Sequence, residues 1–205
     1  MFIMITYFLK SISYFLHPLL MPWIAAVYFF SVATAPYQPT EIMYWLLSIV
    51  FWSLLLPLLL YVILKKLKVV QSIHLKTAKE RIWPLLLNSI IMIYLGFYVL
   101  SKSECVELHY FIIGSLVTLL IGLVLSVFEV KASIHMMAVS GTFLFIILTN
   151  LHFGISISKV VILFILIMGA MASSRLHLNA HTTKELIIGL IIGVVPQILI
   201  VSKWL

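Results

Sequence analysis

The chain contains no aspartate and only six glutamates among its 205 residues. Membrane prenyltransferases and CDP-alcohol transferases hold magnesium with several carboxylates from aspartate-rich motifs. The lack of aspartate therefore argues strongly against both classes of enzyme. Cysteine is equally scarce, because Cys105 is the only one. A single thiol rules out an internal disulfide and any metal cluster built from cysteines.

Charged residues make up 9% of the chain and hydrophobic residues 64%, which is far outside the range of soluble domains. The apolar runs are continuous rather than alternating, and this pattern favours membrane-spanning helices over a β-barrel. The sequence therefore predicts one all-α domain over residues 1–205, a polytopic transmembrane bundle of about six or seven spans. The predicted spans are Leu16–Ala35, Ile42–Leu64, Ile82–Leu100, His109–Phe128, Met136–Phe153, Ser158–Ser173 and Leu186–Ser202.

The segment Met1–Phe15 has a single lysine and no small-residue cleavage pattern, so we expect an interfacial helix that leads into the first span. The net charge of +7 comes from residues in short connections between spans. Such a distribution offers no folded basic surface to nucleic acid and indicates anionic membrane lipids as partners.

Arginine is the next scarcity, with only Arg81 and Arg175 against eleven lysines. Where a positive charge is enough the chain uses lysine, so the two arginines suggest a need for the planar, bidentate grip that suits phosphate. Arg175 lies in a polar island, Ser174–Glu185, between two long apolar runs. Charged groups at such a place in a membrane protein indicate a functional site.

Three polar clusters fall between alternate spans, so an even number of crossings separates them. Lys65–Arg81 joins spans two and three, Glu129–His135 joins spans four and five, and Ser174–Glu185 joins spans six and seven. All three are therefore expected on one face of the membrane, where they could form one site.

The third cluster carries the most specific pattern. If the helix of span seven begins near Asn179 or Ala180, His181 and Glu185 lie four residues apart on one helix face. The carboxylate could then accept the imidazole Nδ1 proton and leave Nε2 free to attack. Asn179 or Thr182 could cap this helix, whose positive end favours a bound anion.

The other two clusters add groups that suit phosphate. Lys131 offers an ammonium, Ser133 a hydroxyl with neighbouring backbone amides, and His135 a second imidazole at a helix start. Arg81 adds a guanidinium beside the membrane, which would help to neutralise a phosphate or diphosphate.

These residues resemble the type 2 phosphatidic acid phosphatase superfamily of lipid phosphate phosphatases. That family has three motifs, K-x6-R-P, P-S-G-H and S-R-x5-H-x3-D. The third is matched at full spacing by Ser174, Arg175, His181 and Glu185, with glutamate in place of aspartate. The exchange keeps the carboxylate and lengthens its arm by one methylene.

The second motif is matched in part. Ser133 and His135 keep the spacing of serine and histidine, while Ala132 stands where proline is expected and Ile134 where glycine is expected. Loss of the glycine matters if its amide must approach the phosphate closely.

The first motif is the weakest match. Arg81 fits, but Pro84 comes two residues late and His74, not lysine, lies seven residues before the arginine. Lys76 or Lys79 can substitute for the missing lysine. The resemblance thus covers three loops and their order, and it extends to the seven-span chain in outline.

The resemblance implies a phosphohistidine mechanism without metal or other cofactor, acting on an isoprenyl diphosphate or a phosphatidate-type lipid. His181 would be the nucleophile, Glu185 would orient it, and His135 would protonate the leaving oxygen. The phosphate would be held by Arg175, Arg81, Lys131, Ser133 and Lys76.

Two other interpretations stay open. The chain could be a non-enzymatic protein that binds or transports a lipid phosphate, as the altered first and second motifs would allow. A zinc site built from His135, His177 and His181 is possible by residue type, yet it would leave both arginines unexplained.

Outside the clusters we expect structural roles. His17, His109 and His152 lie at span ends, where histidine commonly sits at the interface. Gly189 and Gly193 form a small-xxx-small pair that predicts close packing of span seven against a neighbour in the bundle.

The expected location is the plasma (inner) membrane. By the predicted spans, the face of the three clusters carries ten lysines and arginines and the opposite face three, which favours a cytoplasmic site. Bacterial members of the family resembled here commonly act on the outer face, so the side of the site stays open.

Overall fold

The computed structural model describes residues 2–33, 37–70, 77–100 and 105–205. All regular structure in these residues is helical, which confirms the predicted fold class. The α-helices are α1 (Phe2–Phe15), α2 (Met21–Val32), α3 (Pro39–Val50), α4 (Leu56–Lys66), α5 (Ile82–Tyr94), α6 (Val106–Val127), α7 (Ile134–His152), α8 (Ser158–His177) and α9 (Thr183–Val201). Short 3-10 turns precede α2 and α5, and π-helical turns join α3 to α4 and follow α5.

In the described part of the chain, seven helical segments are long and apolar enough to cross a membrane, as predicted. They are Met4–Val32, Pro39–Lys66, Lys79–Val99, Val106–Val127, Ile134–His152, Ser158–His177 and Thr183–Val201. This is the architecture of a multi-pass membrane protein.

The first of these segments differs most from the prediction, because it starts twelve residues earlier than Leu16. The expected N-terminal helix forms as α1 and runs on into α2 through one break. At that break the backbone of His17 is extended and its ring accepts the Leu19 N–H, while Pro18 starts the 3-10 turn. A proline that lacks an N–H is well placed at this position.

Helix α7 is the centre of the bundle, since it packs against α2, α6, α8 and α9. One apolar cluster at its C-terminal end contains Phe29, Phe111 and Phe145, all almost fully buried. By contrast, Leu59 on α4 and Leu166 on α8 are more than half exposed. Large apolar side chains on the outside are what a bilayer requires of its proteins.

Helices α7 and α9 meet along a stripe of glycine, which we call the α7–α9 seam. A Cβ at Gly189 would lie 2.7 Å from the Ser133 carbonyl oxygen, and one at Gly193 would overlap the Ser140 hydroxyl and the Met137 carbonyl. The predicted small-xxx-small packing of span seven is therefore confirmed, with α7 as the neighbour. Close backbone approach is the reason for glycine at both positions.

Three helices have C-terminal ends next to the polar clusters, and all three end in the same type of turn. Lys68, Glu129 and Asn179 follow α4, α6 and α8, and all three have left-handed backbones with φ near 50–60°. Next to Glu129 the amide of Val130 returns to the Leu125 carbonyl, a six-residue closure typical of helix C-termini. These turns direct the chain back across the same end of the bundle.

Candidate active site

The third cluster forms a histidine–carboxylate pair at the start of α9. Nδ1 of His181 lies 2.6 Å from Oε2 of Glu185, and the histidine is 8% exposed. The carboxylate accepts the Nδ1 proton, so the lone pair of the neutral ring is on Nε2. The pair has the geometry expected of an oriented nucleophile or base.

The helix that carries this pair begins later than the sequence suggested. Thr182 is the N-cap and Thr183 the first helical residue, so His181 precedes the helix instead of lying on its first turn. Glu185 reaches back over the cap in a capping box, with the Thr182 hydroxyl accepting its N–H. Asn179 does not cap α9; it takes a left-handed conformation after α8, which asparagine tolerates well.

Burial sets the protonation of the pair. It lowers the pKa of His181 to about 4, against an upward contribution from the hydrogen bond to Glu185 and smaller downward ones from Arg81, Lys131 and Arg175. Burial dominates because a charged imidazole loses water that one carboxylate does not replace. His181 is therefore uncharged at neutral pH.

Arg81 and Lys131 lie beside this pair and are also bonded to the backbone. A guanidinium nitrogen of Arg81, Nη1, donates to the Ala132 carbonyl, and the Lys131 ammonium donates to the Ala180 carbonyl at 2.9 Å. Lys131 is also 3.8 Å from Oε2 of Glu185. These bonds tie the first cluster to the second and the second to the third.

Ser133 lies away from the other predicted phosphate ligands. Its N–H donates to the Glu185 carbonyl at 3.0 Å, and its hydroxyl accepts the Met136 N–H as the N-cap of α7. The side chain is fully buried in the α7–α9 seam and does not line the cavity described below. The position aligns α7 with α9, because one residue bonds to both.

His135 has an unexpected neighbour in His17. The two ring centroids are 5.6 Å apart and nearly perpendicular, and His135 lies within hydrogen-bonding reach of the Ser13 carbonyl. An interfacial role is expected for His17 from the sequence, because no motif includes it. No periodic signal could have found it, because His17 lies beyond the C-terminal end of α1, in the break before Pro18.

Of the two arginines, Arg175 has the less complete set of hydrogen bonds. Its Nη1 donates to the Ser13 hydroxyl at 3.4 Å, and its buried Nε has no partner among the described residues. Ser174 beside it bonds to the Ser13 hydroxyl at 2.8 Å and to the Leu9 carbonyl at 2.6 Å. An unsatisfied N–H on a buried guanidinium is costly unless a ligand or water completes it.

One cavity of about 790 Å³ joins these groups, a size typical of ligand pockets. At one end it is lined by His181, His135, Arg175, Arg81, Lys131, His17, Ser13 and Lys10. At the other end it reaches Phe111 and Gln197, about 21 Å from the start of α9 at the rise of an α-helix. The cavity therefore combines a cationic head with a long, largely apolar interior.

The remaining predicted residues lie elsewhere. Lys76 is outside the described residues. His177 faces α1, where its Nε2 is 3.0 Å from the Thr6 hydroxyl. In the described chain no three histidine, cysteine or glutamate side chains are grouped closely enough to hold a metal ion, so His135, His177 and His181 do not form the zinc set considered above.

No protein-family model, curated protein or solved structure matches this chain.

Proposed function

We propose that the protein is an integral membrane phosphatase that hydrolyses a phosphomonoester or diphosphate of a lipid through a phosphohistidine, without metal. The observation that carries this proposal is the pair of buried His181 and partly buried Glu185, which opens onto a cavity with both arginines of the chain. A neutral imidazole with Nδ1 committed to a carboxylate presents its Nε2 lone pair as a nucleophile.

In the first step Nε2 of His181 attacks phosphorus in line, and the bond from phosphorus to the leaving oxygen breaks. The electron pair stays on that oxygen, which takes a proton from the protonated ring of His135 when it is an alkoxide. Arg175, with its open Nε, Arg81 and Lys131 supply the positive field that stabilises the charge on the phosphate oxygens.

In the second step water bonds to phosphorus and the bond from phosphorus to nitrogen breaks. The water gives a proton to His135 where that ring has donated one and to solvent otherwise, and inorganic phosphate leaves. The atoms balance as lipid phosphate plus water to lipid alcohol plus phosphate, and no redox partner is required.

The apolar part of the cavity supports a lipid as the substrate. Beyond the cationic end its walls come from α4, α5, α6, α7 and α9, and they include Leu85, Ile91 and Met92. Burial of a hydrocarbon chain against this wall stabilises the complex, because apolar surface is removed from water. A soluble phosphate compound has no such chain to bury.

The test is phosphate release from a prenyl diphosphate and from phosphatidate in detergent with EDTA present. We expect wild-type turnover, and a loss of about 1,000-fold or more in His181→Ala, because removal of a nucleophile takes away the covalent route. His152→Ala is the matched control, since His152 is exposed at the opposite end of α7. Turnover that survives His181→Ala, or that requires metal, contradicts the proposal.

A passive lipid-phosphate binder is the second candidate, and the internal bonds of Arg81, Lys131 and Ser133 favour it. Vanadate, which mimics the trigonal-bipyramidal state, separates the two. An enzyme is inhibited by vanadate and binds it through His181, whereas a passive binder shows no dependence on that residue.

We also propose that the protein resides in the plasma (inner) membrane with the site toward the cytoplasm, on the ten-to-three distribution of lysine and arginine. The native thiol, Cys105, is 1% exposed and gives little background for labelling. In intact cells a membrane-impermeant maleimide should label Lys203→Cys and spare Lys184→Cys. The reverse pattern would place the site outside.

A further inference from the structure

The N-terminal helix contributes a polar surface to the cavity that the phosphatase motifs do not include. Lys10, Ser13 and Tyr14 are spaced as one face of α1, His17 follows in the break after this helix, and all four line the same cavity as His181. We call this surface the α1 face. Arg175 on the neighbouring α8 donates to Ser13 of this face.

His17 on this face has one available donor. Its Nδ1 accepts the Leu19 N–H at 3.3 Å, so Nδ1 carries no proton and the neutral ring carries it on Nε2. The break between α1 and α2 fixes the ring, because the same bond caps the 3-10 turn. A rigid N–H in an anion site is a ready contact for a phosphate oxygen.

The cations of the cavity fall into two sets. Arg81 and Lys131 lie near His181 and are bonded to the Ala132 and Ala180 carbonyls. Lys10 has no carboxylate partner in the described chain, and Arg175 has a buried Nε without a partner there. Lys10 and Arg175 both keep donors for a ligand.

The charge count supports a ligand with more than one phosphoryl group. Four cationic side chains line the described cavity, and Glu185, which holds His181 and lies 3.8 Å from Lys131, offsets one of them. A phosphomonoester carries about −1.5 to −2 at neutral pH, whereas a diphosphate ester has a third ionised oxygen and a second set of acceptors. Two sets of donors around one cavity fit two linked phosphoryl groups.

The leaving group gives a further argument. One ring N–H of His135 is taken up by the Ser13 carbonyl, so only the protonated ring has a second N–H for the leaving oxygen. An alkoxide needs a proton as it departs, but a phosphate can depart as the anion. A diphosphate substrate therefore needs less help from His135 than a monoester does.

We propose that the α1 face, with Lys10 and His17 and together with Arg175, binds the second phosphoryl group of a lipid diphosphate and makes that class the preferred substrate. This rests on the proposed phosphatase function. His181 attacks the terminal phosphorus, the bond to the bridging oxygen breaks, and its electron pair stays on the departing lipid monophosphate. Water then releases inorganic phosphate from His181.

The experiment compares prenyl diphosphate with prenyl monophosphate of the same chain length in detergent. In Lys10→Met and His17→Leu we expect kcat/KM for the diphosphate to fall about 10- to 100-fold, because each variant loses a charge-assisted hydrogen bond to the substrate. For the monophosphate we expect kcat/KM to change by less than about threefold. His17→Gln, which keeps a donor, should recover part of the loss. His152→Leu is the control at the other end of the bundle.

Equal losses on both substrates, or no loss on either, would overturn the subsite. Lys10 is exposed, so its variant folds even if His17→Leu does not. Methylenediphosphonate, a diphosphate that cannot be hydrolysed at the bridge, provides a binding readout without turnover. Wild type should bind it at least about tenfold more tightly than Lys10→Met does, with inorganic phosphate affected little. Preferential binding without turnover would reject the enzyme and keep the subsite.

Discussion

The two sides of the cavity differ in how they are held. The α7–α9 seam is closed by backbone contacts at Gly189 and Gly193. The α1 face is held by hydroxyl bonds, from Ser13 to Ser174 and from Thr6 to His177, and most of the outer surface of α1 is exposed. The seam therefore keeps His181 and Glu185 in a fixed frame, while α1 presents its donors from a helix with fewer tertiary constraints.

The same contrast separates the two arginines. Arg81 is 4% exposed and bonded to the Ala132 carbonyl, so its removal leaves a buried acceptor unpaired. Arg175 has one weak bond to Ser13 and an open Nε. We infer that Arg81 contributes mainly to structure and Arg175 mainly to ligand binding. The four predictions below test this contrast.

The largest effect is expected at the seam. Gly193→Leu should prevent stable packing of α9, because even the Cβ overlaps Ser140 and Met137, and overpacking of this kind costs several kcal/mol. Gly169→Leu on α8 is the matched control, since a Cβ there meets nothing within 4 Å. Thermal unfolding in detergent measures both, and equal melting temperatures would show that the seam is not tightly packed.

Next in size is the orienting carboxylate. Glu185→Gln should lower kcat by about 100- to 10,000-fold, because an amide can donate to Nδ1 and favour the wrong tautomer. Glu185→Asp keeps the charge and should lose less. Single-turnover phosphate release measures the step, and an unchanged rate in the glutamine variant would remove Glu185 from the mechanism.

The arginines come third. Arg175→Lys should raise KM or lower kcat by about 10- to 100-fold and leave the melting temperature near that of wild type, because a lysine lacks the planar fork. Arg81→Lys should lower the melting temperature more than Arg175→Lys does. The assignment of one arginine to structure and the other to binding fails if these two results are exchanged.

The smallest effect is a shift in pH dependence. Because burial lowers the pKa of His181 to about 4 and the unprotonated ring is the nucleophile, kcat/KM should stay high down to about pH 5 and fall below it. Lys131→Met removes a charge that lowers this pKa, so the acid limb should move to higher pH. Glu185→Gln removes a bond that raises the pKa, so its residual activity should shift the opposite way. Identical acid limbs in both variants would mean that another group titrates.

Much of the fold was predictable, because a bilayer demands long apolar helices and hydropathy reports them directly. The His181–Glu185 contact was also predictable, since it is local in sequence, although the helix start was not. Ser133 could not be placed from sequence, because its burial depends on how closely α9 approaches α7. His17 reaches the cavity only through the break before Pro18 and the packing of α1 on α8, and neither leaves a periodic signal.

Glu185 serves two purposes with one carboxylate, as it completes the cap of α9 and holds the ring of His181. Mutational surveys of this position will therefore conflate poor folding with poor chemistry unless both are scored. Evolution faces the same restriction. A substitution of Glu185 that weakens the cap of α9 also changes the orientation of the His181 ring, so helix capping and imidazole orientation cannot change independently.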